Sequence, residues 1–324
     1  MVVQRIIRGW KIAMKELVCR NLTKNYGKGS TALDGLALSI PSKGIFALIG
    51  RNGAGKTTLT RILATELMPT SGSATIDEMD VVKDAGKLRN MIAVLPQEAR
   101  AVAWLTPKQT VITYLMYRGI GYYEAKDKAH RALEDIGMAK YENTLNEKLS
   151  GGQKRKILVA TVLASEAPIV FVDEPTTGLD PISRSELWET FKELKKDHFI
   201  FLTTHYLEEA EKLADRIGIL HNGKLMGMGT LEELRKLVKY QYSIRILQKK
   251  TSVKIKEGQK VVGEDGFTQI MTTEKEADAL AIRFIKEKIR FAINPISLED
   301  IFYYIVKKPI YEEDGQDTEE EGGW

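Results

Sequence analysis

The chain has one cysteine, Cys19, in 324 residues, so no internal disulfide can form and a small disulfide-framed domain is excluded. A reducing cytosol suits that usage. Long apolar runs are also missing. The longest apolar-leaning segment, "ILVATVLASEAPIVFV" at 157–172, is broken by Ser165, Glu166 and Pro168. It reads as a helix end followed by a strand, with nothing to span a membrane. The first residues, "MVVQRIIRGWKIA", spread Arg5, Arg8 and Lys11 through apolar positions, whereas a secretory signal groups its charges before an unbroken apolar core. This extension, 1–14, reads either as an amphipathic membrane-surface helix or as an extended start ahead of Met14. No internal repeat is visible.

What is present begins with an ordinary globular balance. With 43% hydrophobic and 28% charged residues, the chain is long enough for one large domain or two smaller ones and buries a core easily. A formal charge of +4 is weak ground for a nucleic-acid partner, and none is expected. The last residues, "YEEDGQDTEEEGGW", form a strongly acidic tail over 311–324 that reads as disordered. The folded part is therefore more basic than the total. That fits an anionic ligand, a membrane-adjacent position or a solvated surface equally.

Hydrophobic periodicity predicts an α/β fold over 15–240 with a helical insertion at about 98–150, then a small α+β domain over 241–310. Short strands and turns fill 15–40, with "NYGKGS" a loop. Strands are expected at Ile45–Ile49, near Ile92–Leu95, in "PIVFVDEP" and in "HFIFLTTH". Thr106-Pro107-Lys108-Gln109 predicts an N-cap, an N1 proline and a capping-box partner for a helix through Tyr117. A second helix is expected over Glu124–Ile136, closed by Gly137. Later helices are expected in "SRSELWETFKELKK", "LEEAEKLA" and "TLEELRKLV", with a hairpin about Asn222-Gly223. Beyond Lys239, "YSIRIL", "KVVGEDGFTQIMT" and "RFAIN" read as strands, Glu274–Ile289 as a helix, and Ser297 to Asp300 as the cap of a last helix.

Within that frame, Gly50-Arg51-Asn52-Gly53-Ala54-Gly55-Lys56-Thr57 fits G-x-x-x-x-G-K-[ST] without mismatch, after a predicted strand and before a helix expected over Thr58–Leu67. Gly53 and Gly55 let backbone N–H groups converge, and the helix dipole adds positive potential. Lys56 suits the β- and γ-phosphates, and the Thr57 hydroxyl suits Mg²⁺. Downstream, Asp173 and Glu174 end an apolar strand side by side, where a parallel sheet turns them toward the Gly-rich turn. Asp173 would hold Mg²⁺ through water, and Glu174 could polarise an attacking water. A GTPase would also need a guanine-reading N-K-x-D after a strand, and the chain has none.

"LSGGQKRK" places Ser150, Gly151 and Gly152 before another helix, a second anion-binding N-terminus. One chain with one phosphate loop has no evident use for two cradles. Two chains packed head to tail do, each closing over the other's γ-phosphate.

At this point the sequence resembles the ABC ATPase family over roughly 15–240. Gly50 to Thr57 match its Walker A motif, Leu149 to Gln153 its signature, Val170 to Glu174 its Walker B, and "GLDP" at 178–181 its D-loop. Gln97 in "LPQ" matches the Q-loop, His205 in "LTTHY" the switch histidine, and Tyr26 the aromatic that stacks on adenine. The resemblance implies ATP and Mg²⁺ as cofactors. It implies nucleotide contacts from Tyr26, Gly50, Asn52, Gly53, Ala54, Gly55, Lys56, Thr57, Thr58, Gln97 and Asp173. Thr57, Gln97 and Asp173 serve the metal, Glu174 and His205 the chemistry. Ser150, Gly151, Gly152, Gln153 and Asp180 reach a nucleotide in trans.

It further implies a homodimer, or a pair with a second ABC ATPase, on ATP binding. The cassette would sit on the cytoplasmic face of the membrane through a separate integral-membrane permease. The C-terminal part, with "SLEDIFYYIV", is similar to drug-resistance-type export ATPases. Tyr114, Tyr117, Tyr122 and Tyr123 either face a permease coupling helix or fill the insertion's own core. Three alternatives stand beside this: a soluble ABC protein on ribosomes or nucleic acid, an importer ATPase, and a non-hydrolytic module. The first usually carries two cassettes, a long coiled coil or cysteine clusters. The second usually carries a longer β-rich appendix, and the last conflicts with an intact Glu174 and His205.

Overall fold

The computed structural model describes residues 16–27, 29–247, 260–262 and 268–306, apart from the side chains of 260–262. The N-terminal extension and the acidic tail lie outside the described residues. The chain divides into two compact units between Leu231 and Glu232, whereas the sequence reading drew its boundary at 240.

In the first unit, β1 (Glu16–Asn25) and β2 (Thr31–Pro41) pair antiparallel. A bulge between Cys19 and Leu22 keeps Leu17, Cys19 and Leu22 all on the buried side. β3 (Ile45–Ile49) is buried at every residue, as a strand covered on both faces must be. Next comes α1 (Lys56–Leu63), which starts earlier and ends sooner than the helix expected over Thr58–Leu67. The chain reverses after Ala64: Thr65 takes φ 63°, Thr65 N–H donates to the Ile62 carbonyl and Glu66 N–H to that of Arg61. This is a Schellman stop with threonine where glycine is usual, which the apolar spacing through Leu67 conceals.

β4 (Ser71–Ile76) and β5 (Met79–Asp80) complete a sheet ordered β2-β1-β4-β5. α2 (Ala85–Met91) leads into β6 (Ile92–Leu95), the strand expected there. The insertion follows with α3 (Pro107–Tyr117) and α4 (Tyr122–Asp135), and α5 (Gly151–Ala164), just past its expected end at 150, shares with them a separate core that includes Val111, Leu115, Leu133 and Ile157. The capping box at Thr106 and Gln109 forms as expected, and Gly137 closes α4 at φ 70°.

β7 (Ile169–Asp173), α6 (Pro181–Leu194), β8 (Phe199–Thr204), α7 (Leu207–Leu213), β9 (Arg216–His221), β10 (Lys224–Gly229) and α8 (Leu231–Lys236) follow in turn. The central sheet runs β10-β9-β3-β8-β7-β6, and only β10 is antiparallel. Asn222 (φ 47°) and Gly223 (φ 75°) form the tight turn before it. Register aligns Ile49 with Thr204 and Asp173 with Thr203, so three strands end together at one edge. Ligands bind at that edge in open parallel sheets.

The second unit takes all of α8 but Leu231 and holds β11 (Tyr242–Ile246), β12 (Lys260–Val262), β13 (Thr268–Thr272), α9 (Glu274–Lys286), β14 (Phe291–Pro295) and α10 (Leu298–Val306). Its antiparallel sheet is ordered β12-β13-β11-β14. Ser297 and Asp300 cap α10 reciprocally, as expected. α9 stops three residues before Ile289, because Lys288 turns at φ 54° and Ile289 N–H returns to the Phe284 carbonyl. Phe284 is fully buried among Ile244, Ile246, Ile270 and Ala277. Phe284→Ala should therefore destabilise this unit by about 3–5 kcal/mol. Differential scanning calorimetry should show an early transition in the variant, and an unchanged thermogram would contradict the core assignment.

Candidate functional site

The turn between β3 and α1 needs two of its glycines. Gly55 has φ 106°, and a Cβ there would lie 2.3 Å from the Ala32 carbonyl oxygen. A Cβ on Gly50 would lie 2.4 Å from the Leu220 carbonyl oxygen. The main chain thus passes bare beside its neighbours, with Asn52 and Gly53 exposed and Ala54 buried beneath them. Lys56 opens α1 and curls back, its Nζ donating to the carbonyls of Gly50 (2.8 Å) and Arg51 (3.2 Å). Thr57 is exposed beside it. Thr58 Oγ1 lies 3.3 Å from the Tyr26 hydroxyl, which ties the half-exposed Tyr26 ring to the first turn of α1.

At the end of β7, the Thr203 hydroxyl donates to Asp173 Oδ1 across the paired strands. The next residue, Glu174, takes φ 45°. Its Oε1 lies 3.3 Å from Lys56 Nζ, and its Oε2 lies 3.0 Å from His205 Nδ1 and accepts from the Thr177 hydroxyl at 3.3 Å. Lys56 and Glu174 are only 5% and 7% exposed, so each depends on the other for charge compensation. Burial pushes the Glu174 carboxyl up. The His205 hydrogen bond and the Lys56 charge outweigh it and hold the group below its usual range. The structure thus joins Lys56 from the first turn of α1 with Glu174 and His205 from the exits of β7 and β8.

Other residues singled out from the sequence stand apart from that group. Gln97 is exposed just past β6, and its backbone carbonyl accepts from Arg155 at 3.4 Å. Ser150 caps α5, accepting from Gln153 N–H at 3.2 Å while Gln153 Oε1 accepts from Ser150 N–H at 2.9 Å. Gly151 and Gly152 form the first turn of α5. A Cβ on Gly152 would lie 2.3 Å from Ser183 Oγ, so α5 and α6 approach closely there. Asp180 caps α6, accepting from the N–H groups of Ile182 and Ser183 at 3.0 Å each.

Sequence reasoning missed three participants. Thr203 orients Asp173, a role set by sheet register alone. Arg155 is buried in α5 three residues after Gly152, a cation on the apolar face. Glu209 is fully buried in α7, where Trp188 Nε1 donates to it at 3.1 Å and burial pushes its carboxyl up. Its signal was an acid four residues before Leu213, on the stripe that packs inward.

The donor set suits a hard divalent cation. Among the described residues no three His, Cys, Asp or Glu side chains cluster as ligands. A metal here would rest on the Asp173 carboxylate, the Thr57 hydroxyl and the Gln97 amide, with the remaining positions left to phosphate and water oxygens. Mg²⁺ is usually held that way.

The family model described as ABC transporter matches residues 33–177. Daunorubicin resistance ATP-binding protein DrrA3 of Streptomyces coeruleorubidus is 38% identical over 213 residues, 65% of this chain and 67% of that one. ABC transporter A family member 7 of Dictyostelium discoideum is 37% identical over 233 residues, 71% of this chain. The chain spans about a quarter of the length of such A-family relatives (28% of that one) and about two thirds of the resistance proteins. Among solved structures, a dimeric ATP-binding cassette in a post-hydrolysis state with ADP and Pi has a TM-score of 0.60 and 25% identity, over 66% of this chain and 98% of that one. CbiO1 of Clostridium perfringens, part of an ABC transporter complex, has a TM-score of 0.61 and 27% identity, over 68% and 93%. Among the described residues no helix is long and apolar enough to cross a membrane.

The depressed Glu174 pKa makes a signed prediction. A lowered folded-state pKa contributes stability that is complete above the ordinary value of 4.5 and is lost as pH falls through the folded value. Urea midpoints of wild type and Glu174→Gln should therefore converge on acidification below 4.5. A gap that widened there would contradict the pairing.

Proposed function

The chain belongs to the ABC transporter ATP-binding family, a family of P-loop ATPases, and on that premise we propose that it hydrolyses ATP to drive a separate integral-membrane permease, as an export-type subunit. The observation that carries this reading is the contact of Lys56, Glu174 and His205 beside the bare turn of Gly50 to Gly55. Lys56 offers a point charge to the β- and γ-phosphates, and the N–H groups from Gly53 to Thr58 converge on the same anion. An arriving γ-phosphate competes with Glu174 for Lys56. Glu174, kept ionised at neutral pH, then accepts a proton from the attacking water. His205 donates from Nδ1 to Glu174, and as the imidazolium it also donates from Nε2 to the γ-phosphate. Thr57, Asp173 and Gln97 would hold Mg²⁺, which neutralises phosphate charge when bound. Tyr26 presents its half-exposed face to adenine.

Ser150, Gly151 and Asp180 are exposed at the starts of α5 and α6, with Gln153 half-buried and Gly152 buried behind them, and that exposure supports the use of these helix ends by a second chain. The reading is a head-to-tail pair, either two copies or one copy with a second ABC ATPase, with ATP between them. The dimeric cassette among the similar structures is in keeping with it. Three insertion tyrosines favour a permease contact over a core role. Tyr117, Tyr122 and Tyr123 are exposed, while Tyr114 packs on the insertion core. Tyr117, Arg118 and Ile120 also line an adjacent cleft of about 860 Å³. Docking there would hold the chain on the cytoplasmic face. The resistance proteins among its relatives favour export.

With Mg-ATP, Glu174→Gln should elute from gel filtration as a dimer, because bound ATP holds the closed pair by mass action. Adding Ser150→Arg should return it to monomer. A Glu174→Gln protein that stays monomeric at saturating ATP would sink the two-chain site. Co-expression with a candidate permease should bring the chain to membranes. Salt-sensitive association with ribosomes or DNA would support a soluble role instead.

A further inference from the structure

Arg155 lies in the second turn of α5, the helix that Ser150 begins, and is 9% exposed. Its guanidinium faces the carbonyl ends of two strands that carry other parts of the site. Nε donates to the Pro175 carbonyl at 2.8 Å. One terminal nitrogen lies 3.5 Å and 3.4 Å from the carbonyls of Pro96 and Gln97, the other 3.4 Å from those of Asp173 and Glu174. One short bond and four longer contacts thus span the exits of β6 and β7. Burial, followed by repulsion from Arg100, lowers its pKa to about 10, so it stays cationic at neutral pH. Asp173 and Glu174 direct their side-chain oxygens to Thr203, Lys56, His205 and Thr177, so Arg155 holds the backbone beneath them.

From this geometry, and resting on the ATPase reading above, we infer that Arg155 is a positioning residue for hydrolysis. Its planar fork locks the backbone carrying Gln97 and Glu174 to the helix that bears the trans contact. Placement of the base against the attacking water is then tied to the seating of the signature end on the partner's nucleotide. A lysine keeps the charge, but a single ammonium cannot bridge both strand exits. Misplacing the base by a fraction of an ångström affects the transition state more than ground-state binding.

The test uses full-length Arg155→Lys, Arg155→Met, Gln97→Ala and the Arg155→Lys/Gln97→Ala double variant, with circular dichroism to check folding. Arg155→Lys should lower kcat on the order of 10–100-fold, as expected for a misplaced group. KM and ATP affinity should stay near wild type, the split that marks a transition-state effect. Since both residues act through one backbone link, the double variant should lose less kcat than the product of the two single losses. Arg155→Met takes the donor away from the carbonyls at both strand exits and puts the fold itself at stake, so the lysine variant carries the decision. Full kcat in Arg155→Lys, a loss confined to KM, or multiplicative losses in the double variant would each overturn this inference alone. A wild-type protein that binds no ATP and does not hydrolyse it would overturn the ATPase reading together with it.

Discussion

A lysine ammonium and a glutamate carboxylate, both more than nine-tenths buried, lie 3.3 Å apart where two strands of a parallel sheet end. Neither could be held there alone, since an isolated buried charge costs several kcal/mol even after relaxation. Each is supplied with further partners. Gly50 and Arg51 turn carbonyls toward Lys56, and His205 and Thr177 turn donors toward Glu174. The bare glycine turn, the left-handed backbone at Glu174 and the position of His205 past β8 all serve this arrangement. On the proposed mechanism the pair is a stored contact that a γ-phosphate exchanges for its own.

Sheet register makes that contact reproducible. Ile49 aligns with Thr204, and Asp173 with Thr203, so the residues that follow β3, β7 and β8 emerge at one level. The strands are fully buried and dominated by Ile, Val, Leu and Phe, and a slip would displace the whole of that packing. The helical insertion has its own apolar core, distinct from the one around β3. Arg155 reaches from α5, which packs in that core, to the strand exits, and the proposed coupling between the two halves of a composite site rests on it.

Much of this was legible in the chain. The glycine-rich turn before α1 and the adjacent carboxylates Asp173 and Glu174 were visible because backbone and charge chemistry fix both residue type and spacing, whereas His205 stood out only through the family resemblance. Caps at Thr106 and Ser297 and the turn at Asn222-Gly223 were legible for the same local reason. Helix ends at Leu63 and Lys286 were not, because Thr65 and Lys288 adopt left-handed conformations that residue type disfavours. Arg155, Thr203 and Glu209 were hidden for another reason: their roles depend on strand and helix neighbours far away in sequence. The tyrosines of the insertion were ambiguous until burial separated Tyr114 from the exposed three.

The central claim is that Glu174, held between Lys56 and His205, is the base that activates water. The most direct measurement is single-turnover hydrolysis of Mg-ATP by Glu174→Gln beside wild type, at saturating protein. The amide preserves size and one hydrogen-bond acceptor but cannot take the proton. The rate should fall on the order of 10²–10⁴-fold, the usual contribution of a positioned general base. A variant that turned over ATP at the wild-type rate would contradict the account.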